Sequence, residues 1–313
     1  MSDLPPATTF MGGILLFIYA TFPLYGIFIA QLFTYLSKAH GDSWYLKTNV
    51  ALLTILETVH TGIMIHFVYH YSITSASSEL LLLKIAWSAP LVTVCEMVMV
   101  LLVHSFYIRR IYIMSQGNRW LVGFLVTILV GRTVLGGFDT AFLLIEDSFV
   151  TFHSNPMVQY MLTTSLGLLA VADLCVASTM VYYLYSGRSG IRRTDLLVNT
   201  LIAYVVNSGF LTVILSFAVL LSFILQKQQL TFGGPLIMVT KLYANAVLGS
   251  LNMRTYLRNQ PTTTTRNMAG TSEMIVFTTL FKSHGQGETT HLESSQDFRD
   301  TQAATQGHPD CSS

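Results

Sequence analysis

The sequence predicts an all-α integral membrane protein, a seven-helix bundle with its N-terminus outside, its C-terminus cytosolic and a disordered C-terminal tail. Three observations carry this reading. Hydrophobic residues make up 52% of the 313 residues and charged residues only 11%, a balance outside the soluble range. Seven stretches offer the roughly 20 mostly apolar residues that a spanning helix needs. Lys and Arg gather in alternate connections between those stretches, as they do on the cytoplasmic side of membrane proteins. The net charge of +1 is balanced rather than clustered, which sets aside nucleic acid as a partner.

Residues 1–9 form a short extracellular N-terminus with Asp3 and no Lys or Arg. The apolar stretch that follows is far longer than a signal-peptide core, so it is expected to remain as a helix. The first span, 10–36, contains Pro23 and ends at the polar turn "SKAHGDS" from Ser37. The second, 46–71, places Glu57, His60 and Thr61 on one face. The third, 81–107, holds Pro90 and Glu96, and leads into "FYIRRIY". After "SQGNR" the fourth span, 120–146, sets Arg132, Gly136 and Asp139 at i, i+4 and i+7, and Glu146 continues that face outward.

The turn "DSFVTFHSNP" precedes the fifth span, 157–185, which carries Asp173, and "SGRSGIRRTD" precedes the sixth, 196–225. In the seventh, 231–256, Lys241, Asn245, Leu248 and Asn252 form a stripe. The membrane domain is thus 10–256. From 257 to 313 the chain turns to "PTTTTR" and scattered Ser, Gln and Gly, a composition expected to be a disordered cytosolic tail. The short apolar run "MIVFTTLF" from Met274 reads either as a surface or partner contact or as a residual cluster. Cys95 and Cys175 lie in apolar runs and Cys311 near the end, so no structural disulfide is expected.

Of 17 Lys and Arg, only Lys84 and Lys227 fall on the side assigned to the exterior, while Arg132 and Lys241 fall inside spans. The remainder sit on the opposite side, which is therefore cytosolic. Arg109, Arg110, Arg188, Arg192 and Arg193 are candidates there for contact with anionic lipid or a cytosolic partner.

Charged groups at the bilayer centre cost about 2.5 to 3.5 kcal/mol each on insertion scales, so they face protein or trapped water. Glu57, Glu96, Arg132, Asp173 and Lys241 all fall near mid-depth, with Asp139 nearer the outside. Together with His60, Asn245 and Asn252 they form the candidate ligand-binding site or polar network. Lys241 requires one of the acids as a partner, with Glu57 or Asp173 expected, and is assigned as the fixed cation of a cavity. Four acids against two bases leave a surplus, which points to a cavity. The competing reading is a set of structural ion pairs that fix helix register.

"LYGIFIAQLFTYL" from Leu24, "LETVH" from Leu56, "SFYIRRIYIMS" from Ser105, "SGRSGIRRTDLLVNTLIAYVVNSGFLT" from Ser186 and "KLYANAVLGSLNMR" from Lys241 together resemble a fungal family of seven-helix membrane proteins, the domain-of-unknown-function 6534 family. The resemblance covers about residues 13–256. Its recurrent positions fall on Arg193, Thr194, Asp195 and Asn199, and on Lys241, Tyr243, Asn245, Asn252 and Arg254. His104 stands where the resemblance implies a glutamine. Membrane location in mushroom-type fungi is implied, and no activity.

A retinal pigment has Lys241 in its favour but lacks an aspartate-rich third helix. A membrane metal hydrolase has the Glu57–His60 pair but no second pair to complete a ligand set. No enzyme activity, metal or cofactor is therefore expected. Two classes remain. A receptor-like protein would bind a small or lipidic ligand in a mid-membrane polar cavity, and a secondary transporter or proton-coupled carrier would use the intramembrane carboxylates and Lys241 as a relay. The lipid bilayer is the expected partner, and the plasma membrane follows from topology alone.

Overall fold

The computed structural model describes residues 7–37, 42–75, 78–187, 192–225 and 230–258. Among them the secondary structure is helical, with a single two-residue bridge and no strand. The helices are α1 (Ala7–Leu36), α2 (Trp44–Tyr69), α3 (Glu79–Leu82), α4 (Ser88–Met114), α5 (Arg119–Ile145), α6 (Phe149–Ser154), α7 (Pro156–Ser186), α8 (Arg192–Leu225) and α9 (Gly233–Arg258). A π-helical turn, His70–Thr74, extends α2, and a 3₁₀ turn, Leu230–Phe232, precedes α9.

Local chemistry accounts for the helix ends. Asn118 caps α5 by accepting from the Leu121 amide at 3.2 Å, and Asn155 caps α7 by accepting from Met157 at 3.0 Å. Side-chain acceptors of this kind satisfy amides that have no partner in the first turn. Pro156 follows Asn155 at the start of α7, where its missing N–H costs nothing. Between α4 and α5 the chain reverses through Gln116 (φ 55°) and Gly117 (φ 85°), a left-handed pair for which glycine is the natural residue.

The third long helix departs from the pattern of the sequence. It begins at Ser88 rather than near 81 and runs on to Met114. Hydropathy reads "ELLLLKIAW" as continuous helix, but only the short turn α3 forms there, and tertiary hydrogen bonds hold residues 84–86 out of the helix. The Tyr71 hydroxyl donates to Lys84 O at 2.8 Å and accepts from the Ala86 amide at 2.9 Å. Ile85 N bonds Asp147 O at 3.1 Å and Phe149 N bonds Leu83 O at 2.9 Å, so residues 83–85 bridge to 147–149. Two consequences follow. Pro90, expected inside a span, lies in the first turn of α4, where it interrupts nothing. Arg109 and Arg110 belong to the helix rather than to a connection. Pro23 does lie inside α1.

Among the described residues, six helices are long and apolar enough to cross a membrane by length and composition: those within Gly12–Leu36, Trp44–Thr74, Ser88–Met114, Arg119–Ile145, Pro156–Ser186 and Ser208–Leu225. Large apolar side chains point outward from them, among them Phe33, Ile65, Val130 and Phe210, each more than half exposed. A water-soluble fold would bury such residues, and a hydrocarbon solvent would not require it. The chain is therefore a multi-pass membrane protein. The long helix α9 is not among the six, because Lys241, Asn245 and Asn252 dilute its apolar content. Neighbours compensate: its side chains from Leu236 to Leu251 are buried or half-buried.

The long helices pack in chain order, α1 on α2, α2 on α4, α4 on α5, α5 on α7, α7 on α8 and α8 on α9, and α9 closes the ring against α1. Helix α4 also touches α7 and α9 across the interior. The α1–α9 seam is tight because glycine lines it. A Cβ on Gly234 would stand 2.6 to 2.8 Å from three side-chain atoms of Phe17. Residues from 259 onward, including the expected tail and the run from Met274, lie outside the described residues.

Candidate functional site

Helix α9 brings its polar stripe inward. Lys241 Nζ stands 2.8 Å from Glu57 Oε1 and donates to Thr61 Oγ1 at 2.6 Å. Thr61, one turn after Glu57 on α2, donates its own proton to Glu57 O at 2.8 Å. The Tyr25 ring centroid lies 5.5 Å from the ammonium. Glu57 and Lys241 are exposed by no more than 1%, so each charge relies on the other rather than on solvent. His60, one turn from Glu57, is fully buried and neither ring nitrogen has a hydrogen-bond partner.

The asparagines of the stripe serve packing. Asn245 donates to Leu24 O at 3.1 Å and to Lys241 O at 2.9 Å, and Asn252 donates to Gln31 O at 2.8 Å. Two turns apart on α9, they tie it to α1 at matching intervals, a form of interhelical bonding worth about 0.6 to 2 kcal/mol each in membranes.

A second cluster surrounds Asp173. Tyr243 donates to its Oδ1 at 2.5 Å, Ser216 donates to its Oδ2, and His104 Nε2 lies 3.4 Å from Oδ1. His104 is held by Val100 O at 3.0 Å from Nδ1 and meets the Tyr243 ring edge-on. Four helices, α4, α7, α8 and α9, thus converge on one carboxylate. His104, which departs from the resembled pattern, is a full member of this cluster.

A small space of about 40 Å³ adjoins this cluster, lined by His104, Asp173 and Tyr243, and a roomier one lies elsewhere. A space of about 140 Å³ opens among α4, α5, α7 and α9, lined by Glu96, Arg132, Asp139, Thr93, Thr140 and Ser165 and otherwise by apolar residues such as Phe67, Phe152 and Leu162. Glu96, Arg132 and Asp139 are each more than nine-tenths buried. Arg132 Nε, Glu96 Oε1 and both Asp139 carboxylate oxygens have no hydrogen-bond partner. Ser165 lies beside Asp139 without completing a bond to it. Arg132 feels the charge of Glu96, Asp139 and Asp173 at longer range, yet makes no ion pair within 4 Å among the described residues. Gly136, one turn from Arg132, leaves room on the same face.

The cation that lines the cavity is therefore Arg132. Lys241, assigned to it from the sequence, is consumed by Glu57 and Thr61, and Asp173 has no contact with it. Of the basic candidates at the other end, Arg109 stacks 3.9 Å above the Tyr45 ring. Arg110 acts on the nearby Tyr107. Arg188 and the side chains of Arg192 and Arg193 lie outside the described residues. Sequence reasoning passed over Ser216, Ser165 and Thr93 as site members. A lone serine inside "LTVILSFAVLL" carries no signal of its own until Asp173 is known to face it.

No curated protein and no solved structure matches the chain. One family model does, over residues 169–256, from the middle of α7 to near the end of α9. That stretch holds Asp173, Ser216, Lys241, Tyr243, Asn245 and Asn252, whereas Glu96, Arg132 and Asp139 lie before it. Over this region the chain is similar to DUF6534, a family of unknown function.

Proposed function

We propose that the chain is a seven-helix integral membrane protein of receptor-like topology that binds a small molecule in the cavity of Glu96, Arg132 and Asp139. The N-terminus is outside and the C-terminus cytosolic, as the distribution of basic residues supports, and α9 crosses as the seventh span inside a sheath of its neighbours. One observation carries the binding reading: polar atoms of two helices, all buried and without partners, face a single space with apolar walls. Buried donors and acceptors of this kind cost stability unless something satisfies them, and intramembrane ionisable groups mark functional sites by default.

Helix α4 supports the receptor-like version. It bears Glu96 in the cavity, His104 beside Asp173 about two turns further along, and Arg109 over Tyr45 at the cytosolic end. Occupancy that shifts α4 would thus be felt by the Asp173 cluster and by the cytosolic face. The role is binding rather than catalysis, at the plasma membrane, with anionic lipid as a further contact of the basic cytosolic face.

A second reading, a proton-coupled carrier, draws on the buried Glu57–Lys241 pair, whose ammonium also feels Glu96. Native mass spectrometry of protein released from lipid nanodiscs tests the binding reading. A small molecule should accompany the wild type and be absent from Gly136→Leu, which fills the cavity. Both proteins emerging folded and empty from every extract would count against it. A compound so identified then separates the two readings by flux into proteoliposomes.

A further inference from the structure

Resting on that binding reading, the atoms of the cavity also specify the chemistry of what enters it. Arg132 Nε–H is a donor in want of an acceptor, while Glu96 Oε1 and the two Asp139 oxygens are acceptors in want of donors. A carboxylate or phosphate would satisfy the guanidinium and then confront two acids. An ammonium would satisfy the acids and confront the guanidinium. A hydroxyl does both at once, accepting from Arg132 through its lone pairs and donating its proton to Glu96 or Asp139.

Size narrows the class. A dry, apolar-walled cavity of roughly 150 Å³ holds benzene in a well-characterised protein, and this one measures about 140 Å³. A whole phospholipid does not fit within such a space. The remaining walls, among them Phe67, Leu143, Phe152, Leu162 and Ile237, suit a hydrocarbon or aromatic body. We infer that the ligand is a small neutral alcohol, a hydroxyl on an apolar body of about six to eight non-hydrogen atoms, seated with its oxygen between Arg132 and the carboxylates of Glu96 and Asp139.

A matched series on one skeleton tests this: benzyl alcohol, benzoate and benzylamine, with n-dodecanol as the oversized alcohol. Binding to the full chain in nanodiscs is read by saturation-transfer NMR, with empty nanodiscs subtracted to remove partitioning into lipid. Benzyl alcohol should bind the wild type and lose at least tenfold in affinity in Gly136→Leu and in Arg132→Met, while benzoate, benzylamine and dodecanol show no cavity-dependent signal. Gly136→Leu keeps every polar group and adds a helix-favouring side chain, so it reports on the cavity even where Arg132→Met fails to fold. Benzoate or benzylamine binding as well as the alcohol, with loss in Gly136→Leu, would overturn the alcohol and leave the binding site standing. Silence from all four compounds on folded protein would overturn both.

Discussion

Lys241 illustrates how a charge survives in the interior of this bundle. It is not hydrated and does not face the cavity. It is neutralised by Glu57 at 2.8 Å and further satisfied by Thr61. Removing one partner of such a pair strands the other, at a typical cost of about 3 to 5 kcal/mol, whereas removing both is close to neutral. Lys241→Met is therefore expected to lower thermal stability strongly in detergent. Lys241→Met combined with Glu57→Leu should recover most of the loss, and a double variant no better than the single one would refute the pairing. At Asp173, Tyr243→Phe deletes one of two hydroxyl donors and is expected to destabilise by about 1 to 3 kcal/mol. Ser216→Ala should cost a similar amount, and the two losses should be non-additive because they share one carboxylate. Thermal unfolding of the two single variants and the double variant measures this.

Among the helices, the decisive contact is α1 against α9. Gly234 permits the backbones to approach, since a Cβ there would overlap Phe17, and Asn245 and Asn252 then reach α1 carbonyls. Small residues at such a seam are the usual means of close packing in membranes, where lipid and Leu are equally apolar. Gly234→Ala is expected to destabilise by about 1 to 3 kcal/mol through overpacking. Phe17→Ala in the same chain should restore part of this, as melting temperatures would reveal. The start of α4 makes the complementary point. Periodicity carries the helix on through "LLLKIAW", yet two bonds from Tyr71 and a bridge to residues 147–149 break it after α3 and hold residues 84–86 out of it. Local propensity lost to tertiary hydrogen bonding there, and nothing in residues 79–87 alone records it.

For the whole molecule, the ring of long helices accounts for the inverted surface, apolar outward and polar inward. A polar stripe is tolerated on α9 because α1, α2, α4 and α8 surround it. The proposed topology makes a direct prediction. Single cysteines at Gln116, just before α5, and at Ser154, at the end of α6, both exposed, should react with a membrane-impermeant maleimide from opposite sides. Gln116 should label only after permeabilisation, in a chain whose Cys311 is replaced by Ser. Equal labelling of both from outside would overturn the arrangement. Likewise, replacing Arg188, Arg192 and Arg193 with Gln should weaken retention of anionic lipid, read by the lipids that co-purify, with unaltered retention counting against the contact.

The sequence by itself determined the class of the protein, because composition and the length of apolar runs report directly on the solvent a chain is built for. It also determined that polar groups meet inside, since each long helix can turn only one face inward and Glu57, Glu96, Arg132, Asp139, Asp173 and Lys241 lie within long, largely apolar stretches. It did not determine which of them meet. Helical periodicity places a residue on a face and at a depth, but the choice of partner depends on the rotation of two helices about their own axes and on how closely they approach. Those are fixed by packing at remote points such as Gly234 against Phe17. The tertiary structure therefore decided that Lys241 is spent on Glu57, that Asp173 gathers Tyr243, Ser216 and His104, and that Arg132 with Glu96 and Asp139 is left facing open space.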